Sequence, residues 1–210
     1  MTSKEVQSDL FAAVAERPRK DVPPDQSPCA VVHDLHQLVA SHKRFSTIYA
    51  DPPWPYRNES SRGAAVNHYP VMSLEQILAE PVQKLATSNA HLHLWTTNGF
   101  LKEAFGVIDA WGFKYKSCLI WIKDELGMGN YWRVSHEYLL LGVRGSLRFS
   151  DRAQRSWISA PRSVHSRKPD RIRLLIENVS PGPYLELYGR EDLPGLPWTV
   201  YGNRVERRLF

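Results

Sequence analysis

The chain has 210 residues, 42% apolar and 23% charged, a composition that suits one well-buried globular domain and excludes a largely disordered chain. No run approaches the roughly 20 apolar residues of a membrane-spanning helix, and two cysteines, Cys29 and Cys118, cannot make a disulfide framework or a cysteine-rich zinc site. Net charge is +5, yet the stretch from Arg144 to Arg173 alone holds nine basic residues against two acids. A positive field of that kind attracts polyanions and displaces the counterions of nucleic acid, although a charge run is also a common form of solvated face.

Residues 1–28 read as a flexible N-terminal tail, because Pro18, Pro23, Pro24 and Pro28 with interspersed charges leave little to bury. Lys4, Glu5 and Asp9 are unlike a signal peptide, so a reduced, cytoplasmic protein with no membrane segment is expected. From there a single domain over residues 29–210 is expected. A short apolar run covers residues 30–33, and residues 45–50 read as a strand stopped by Pro52 and Pro53. Ser73 with Gln76 has the spacing of a capping box at a helix start, and Pro81 breaks or restarts that helix. Residues 90–95 read as a strand, and residues 98–111 as an amphipathic helix closed by Gly112. Strands follow over residues 117–122 and 136–142, with the loop Gly127-Met128-Gly129 between them. Pro169 fits the first turn of a helix running to about Asn178, and residues 184–188 read as another strand. Strands alternating with helices predict an α/β fold, a mostly parallel sheet with helices on both faces.

Ligands of such sheets bind beyond the carboxyl ends of the strands, where Asp51-Pro52-Pro53-Trp54 follows the strand at residues 45–50. The Asp51 carboxylate accepts hydrogen bonds, the Pro52 carbonyl is a second acceptor on stiff backbone, and Trp54 offers a flat face. Two acceptors and a stacking face suit an exocyclic amine on a heteroaromatic base. Held by both hydrogens, its lone pair is localised toward an electrophile, and Asp51 stabilises the positive charge that develops on nitrogen. An acid and two prolines after a strand also make a simple turn. His91 and His93 alternate on one strand face and imitate a metal pair, but no third ligand accompanies them, so packing or exposure is the expectation and no metal is assigned. Trp111 and Trp121 are expected in the core.

Ile48-Tyr49-Ala50-Asp51-Pro52-Pro53-Trp54 resembles the signature of the adenine-N(6) methyltransferases related to the catalytic subunit of the messenger-RNA adenine methyltransferase, a family with small bacterial and phage members. Further matches follow in order. They are His68-Tyr69 with Met72-Ser73, Leu94-Trp95, Trp111-Gly112-Phe113, Ile120-Trp121-Ile122-Lys123, His136-Glu137, Arg167-Lys168-Pro169-Asp170, Glu186-Leu187-Tyr188-Gly189-Arg190, and Trp198 with Gly202-Asn203. The resemblance implies a Rossmann-like methyltransferase fold that uses S-adenosylmethionine, whose sulfonium makes its methyl electrophilic. It makes Asp51, Pro52, Pro53 and Trp54 the catalytic segment. Asp34 and Leu35 would face the cofactor's adenine, Glu186 and Asn203 its ribose, with Arg190 close by, and Asp51 and Lys168 would also reach the cofactor. Trp54, Tyr56, Arg57, Tyr69, Trp95, Tyr131, Glu137 and Lys168 would meet the target base or its strand. Where the family's messenger-RNA enzyme has Pro-His-Asn, this chain has Glu191-Asp192-Leu193, and Arg204 replaces a glutamine, so no cofactor contact is carried over to those positions.

The implied partner is adenine-containing nucleic acid, DNA favoured over RNA on the compactness of the chain, with monomer and homodimer both open. Two other readings stand beside it: a non-catalytic nucleic-acid-binding partner subunit, and a protein amide methyltransferase.

Overall fold

Apolar residues at every second position build the centre of this molecule. Ile48 and Ala50, Leu92 and Leu94, and Leu185 and Leu187 point to one side of three neighbouring strands, while Tyr49, Trp95 and Glu186 point to the other. The computed structural model describes residues 30–55, 71–127, 131–161, 167–189 and 195–202. In chain order these form β1 (Ala30–Val32), α1 (Leu35–Ala40), β2 (Phe45–Ala50), α2 (Leu74–Ala79), β3 (Ala86–Thr96), α3 (Leu101–Ala110), β4 (Lys114–Ile122), β5 (His136–Arg144), β6 (Trp157–Ser159), α4 (Arg171–Val179), β7 (Tyr184–Leu187) and β8 (Trp198–Tyr201). The described strands make one sheet in the order β1-β8-β7-β2-β3-β5-β4-β6. Every pairing is parallel except those of β5, which runs against both β3 and β4.

The helices cover both faces, as the sequence predicts. Leu35 and Leu38 of α1, Ile77 of α2, and Ala104, Val107 and Ile108 of α3 pack with the first set of strand residues, whereas Ile172 and Ile176 of α4 pack on the second face with Tyr49, Trp95 and Trp121. Local chemistry sets the helix ends. Ser73 Oγ accepts the Gln76 N–H at 3.2 Å and Gln76 Oε1 accepts the Ser73 N–H at 2.8 Å, which completes the expected capping box. Gly112, at φ +81°, ends α3 in the left-handed conformation that glycine adopts without strain. Trp111 and Trp121 lie in the core, 0% and 2% exposed.

Several features differ from the sequence reading: β8 (Trp198–Tyr201) is an additional strand, β4 begins at Lys114 ahead of residue 117, and Pro169 precedes the Asp170 cap of α4. The six-residue α1, capped by Asp34, and the three-residue β6 are too short to carry a period. β3 begins at Ala86, upstream of residue 90, through Ser88 and Asn89, which are exposed and supply no apolar alternation. The tail over residues 1–28 lies outside the described residues. Among the described residues no helix is long and apolar enough to cross a membrane.

Candidate active site

The chain leaves β2 toward β3 and leaves β7 toward β8, on opposite sides, although β2 and β7 are hydrogen-bonded neighbours. A crevice opens beyond the carboxyl ends at such a switch point. Ala50 pairs with Leu187 and Tyr49 with Glu186, so Asp51 and Glu186 flank that crevice from adjacent strands. Because β5 is reversed, its first residues arrive at the same edge: Glu137 pairs with Trp121, and Lys123 follows the end of β4. Lys168, just before α4, completes the group.

These side chains form a line of alternating charge. Lys123 Nζ donates to Glu137 Oε1, and Glu137 Oε2 lies 3.4 Å from Lys168 Nζ, which in turn donates to Asp51 Oδ1 at 2.8 Å and Oδ2 at 2.7 Å. Each cation also lies over an indole, Lys168 at 5.3 Å from the Trp95 ring centre and Lys123 at 4.5 Å from that of Trp121. Burial alone would lift the Glu137 carboxyl, but Lys168 and Lys123 outweigh it and hold it below its ordinary range. Burial likewise works against charge on Lys168, yet Asp51 and Glu137 raise its pKa, so the ammonium persists. Asp51 is the most open of the four, its side chain 25% exposed against 10–14% for the others. Below it, the Tyr49 hydroxyl accepts the Trp95 indole N–H at 2.7 Å, and burial, then Glu186 and Asp51, raises its pKa.

Glu186 is held separately. Arg173 on α4 donates through Nε to Oε2 and through Nη2 to Oε1, both at 2.7 Å. Beyond Glu186, Tyr188 sits at φ +64°, and its hydroxyl is buried with no hydrogen-bond partner among the described residues. The next residue, Gly189, is buried, and a Cβ there would lie 2.4 Å from Val200 Cγ1 and 3.5 Å from Glu186. Glu186 near the end of β7, beside the tight turn at Gly189, suits a polar ligand laid across the ends of β7 and β8, and this fits the implied nucleoside cofactor; the Tyr188 hydroxyl faces the other side of the sheet, toward Glu80 and Tyr201. Gly189→Ala is therefore expected to destabilise the fold by about 1–3 kcal/mol, because Val200 is wholly buried and cannot retreat; urea denaturation measures it.

The expected contacts of Trp54 and Trp95 are corrected, and other expected residues are partly engaged within the protein. Trp54 offers no free stacking face: it is 4% exposed, lies on Phe100 with ring centres 5.5 Å apart, and donates its indole N–H to the Trp95 carbonyl. Trp95 is fully buried against Trp121, so it supports Lys168 from below and presents nothing to a substrate. Leu35 is a core residue, and the Asp34 carboxylate caps α1 by accepting the His36 N–H at 2.7 Å. Pro52 is buried, and its carbonyl already takes the Trp54 N–H at 2.9 Å, leaving one lone pair, while that of Pro53 takes the Met72 N–H.

The basic stretch is no single patch either. Arg144 lies at the opposite edge of the sheet and donates to the Gln83 carbonyl, Arg171 donates to the Ser159 carbonyl, and Arg167 pairs with Asp170. Tyr131 and Trp132, by contrast, are 97% and 90% exposed beyond the β4–β5 hairpin. The Gly127 N–H to Val134 carbonyl bond extends that hairpin outward from the active edge. Tyr56, Arg57, Tyr69, Arg190 and Asn203 lie outside the described residues, as do Asp192, Leu193 and Arg204. Two members of the site were not singled out from sequence as site residues. Lys123 lies in a resembling motif that assigns it no role, and Arg173 reads in the sequence only as one charge of the basic stretch.

A sheet of this order, with an acid closing the strand at its switch point and a second carboxylate beside it, is a Rossmann-like methyltransferase fold. The chain belongs to the MT-A70 family, whose profile matches residues 45–204 and so takes in β2 through β8. Similar proteins include the type II methyltransferase M.MunI of Mycoplasma sp, 26% identical over 185 residues that cover 78% of each chain. The N(6)-adenosine-methyltransferase catalytic subunit METTL3 of Homo sapiens is 26% identical over 174 residues, 78% of this chain and 28% of that protein. The N(6)-adenine-specific methyltransferase METTL4 of Mus musculus is 28% identical over 194 residues, 81% of this chain and 40% of its own. This chain thus matches well under half the length of METTL3 and METTL4.

Proposed function

We propose that this chain transfers a methyl group to the exocyclic amine of adenine in nucleic acid, with S-adenosylmethionine as donor, in the cytoplasm. The observation that carries the reading is Asp51: a partly open carboxylate at the end of β2, in the switch-point crevice, on backbone stiffened by two prolines. When bound, S-adenosylmethionine supplies an electrophilic sulfonium methyl. The protein's share is positioning and charge. Lys168 takes two of the roughly four lone-pair sites of the Asp51 carboxylate, and the rest remain for the N–H groups of the amine. Asp51 then stabilises the positive charge that gathers on nitrogen, while Glu137 and Lys123 keep Lys168 in place. Glu186, with the turn at Tyr188 and Gly189, would hold the cofactor across the crevice. Exposed Tyr131 and Trp132 suit stacking on unpaired bases, worth about 1–3 kcal/mol per base, and Arg133 beside them suits phosphate.

DNA is favoured over RNA because M.MunI matches this chain over 78% of each length, whereas METTL3 and METTL4 carry much more besides. The test is incubation with methyl-labelled cofactor and adenine-containing DNA or RNA, followed by nucleoside mass spectrometry. N6-methyladenine, more from DNA, is the expected product. Failure of the folded protein to bind S-adenosylmethionine in calorimetry would instead leave a non-catalytic nucleic-acid-binding subunit.

A further inference from the structure

We propose that Arg173 is a positioning residue for the cofactor, holding Glu186 in the one orientation in which its carboxylate can accept the two ribose hydroxyls. This rests on the proposed role of Glu186 as a cofactor contact. The two N–H groups of Arg173 meet the two oxygens of Glu186 at 2.7 Å each, and the side chains are 17% and 7% exposed. A planar guanidinium in that fork fixes the plane and rotation of the carboxylate, which a single point charge does not. It uses one lone pair on each oxygen and leaves one on each, a spacing that matches a vicinal diol. Gly189, three residues on, lets the chain turn close beside the carboxylate: a Cβ there would fall 3.5 Å from its carbon and 2.4 Å from Val200 Cγ1. Burial weakens the charge on Arg173, but the bonds to Glu186 more than restore it, raising its pKa. No other cation is bonded to Glu186 among the described residues. Without Arg173, Glu186 would be an unpaired buried charge and would leave that orientation.

A second feature separates this role from mere fastening. The segment that carries Arg173 also carries Lys168, the partner of Asp51, so α4 and its approach set the carboxylates on both β2 and β7. Arg173 does not touch the Asp51 group, and its loss should be felt only through Glu186.

The experiment is calorimetric binding of S-adenosylhomocysteine and of its 2′,3′-dideoxy analogue to the full chain, each variant first checked by thermal melting. Arg173→Met should weaken binding of S-adenosylhomocysteine by about 10–100-fold, the range for a charge-assisted bond, and leave the dideoxy analogue unchanged. Glu186→Gln should do the same, the double variant should lose no more than either single one, and Arg173→Lys should recover part of the loss. Equal loss for both ligands, or none for Arg173→Met while Glu186→Gln is impaired, would reduce Arg173 to a strut and overturn the proposal. An unaffected Glu186→Gln variant would overturn the ribose contact itself, with methyl transfer left standing. If Arg173→Met fails to fold, Arg173→Lys with the same two ligands decides between these outcomes.

Discussion

Replacing Asp51 with alanine is expected to lower methyl transfer to adenine by about 10²–10³-fold, the usual cost of removing one preorganised charge or hydrogen bond from a transition state. The carboxylate is the one acidic group of the site with substantial access to solvent, and it stands where β2 meets the crevice. Its neighbours cannot substitute. Glu137 and Glu186 stand on other strands, β5 and β7, and their side chains are 13% and 7% exposed against 25% for Asp51. The fold should survive the change. Lys168 keeps Glu137 at 3.4 Å, and a pair that is a quarter exposed on its acid side loses less than the roughly 3–5 kcal/mol of a fully buried one. Asp51→Asn keeps the shape and removes the charge, so it separates the two contributions; single-turnover transfer with each variant, beside a melting curve, measures both. Undiminished transfer by the alanine variant would remove Asp51 from the chemistry.

How much of this was legible beforehand depends on the range of the interaction. β2 is legible with its observed bounds, because two prolines stop it and its residues other than Ser46 are β-branched, aromatic or apolar. The capping box of α2 was legible because it spans only three residues. Asp51 was legible because an acid followed by two prolines at a strand end has few other uses. Trp54 was misread for a physical reason: sequence shows that an aromatic ring is present but not which surface it meets, and Phe100 takes the face expected for a base. The basic stretch failed similarly. Positive residues close in sequence are carried by β5, β6 and α4 to both edges of the sheet, and several are consumed by carbonyls and acids on the way. Arg173 and Glu186 are only 13 residues apart, but their pairing exists because α4 packs back across β7. No local pattern announces that.

Acid should destabilise this protein through two histidines that take no part in the site. His91 and His93 lie on β3, 0% and 4% exposed, and both face Ser180 at the end of α4. The Leu147 carbonyl can only accept, so His91 Nε2 carries the proton and donates to it at 3.2 Å. His91 Nδ1 is then the acceptor of the Ser180 hydroxyl at 2.8 Å, and the Ser180 oxygen is left to accept from His93 Nε2 at 3.0 Å. Both rings are neutral in this arrangement, and a proton added to His91 Nδ1 would set two donors against each other. Burial, helped by His91, pushes His93 from 6.5 down to about 3, and burial lowers His91 too.

The unfolded chain therefore binds more protons than the native one, and stability falls as pH drops below about 6.5, by about 1.4 kcal/mol per unit from His93 alone, until the native group itself titrates near 3. Urea midpoints at pH 7, 6 and 5 should show a loss of ~2 kcal/mol by pH 5. His93→Gln can still donate to Ser180, so it should flatten that slope even if it lowers stability at pH 7. A slope unchanged by the substitution would mean that the acid sensitivity arises in other groups, and that this buried triad is not what ties β3 to α4 above pH 6.5.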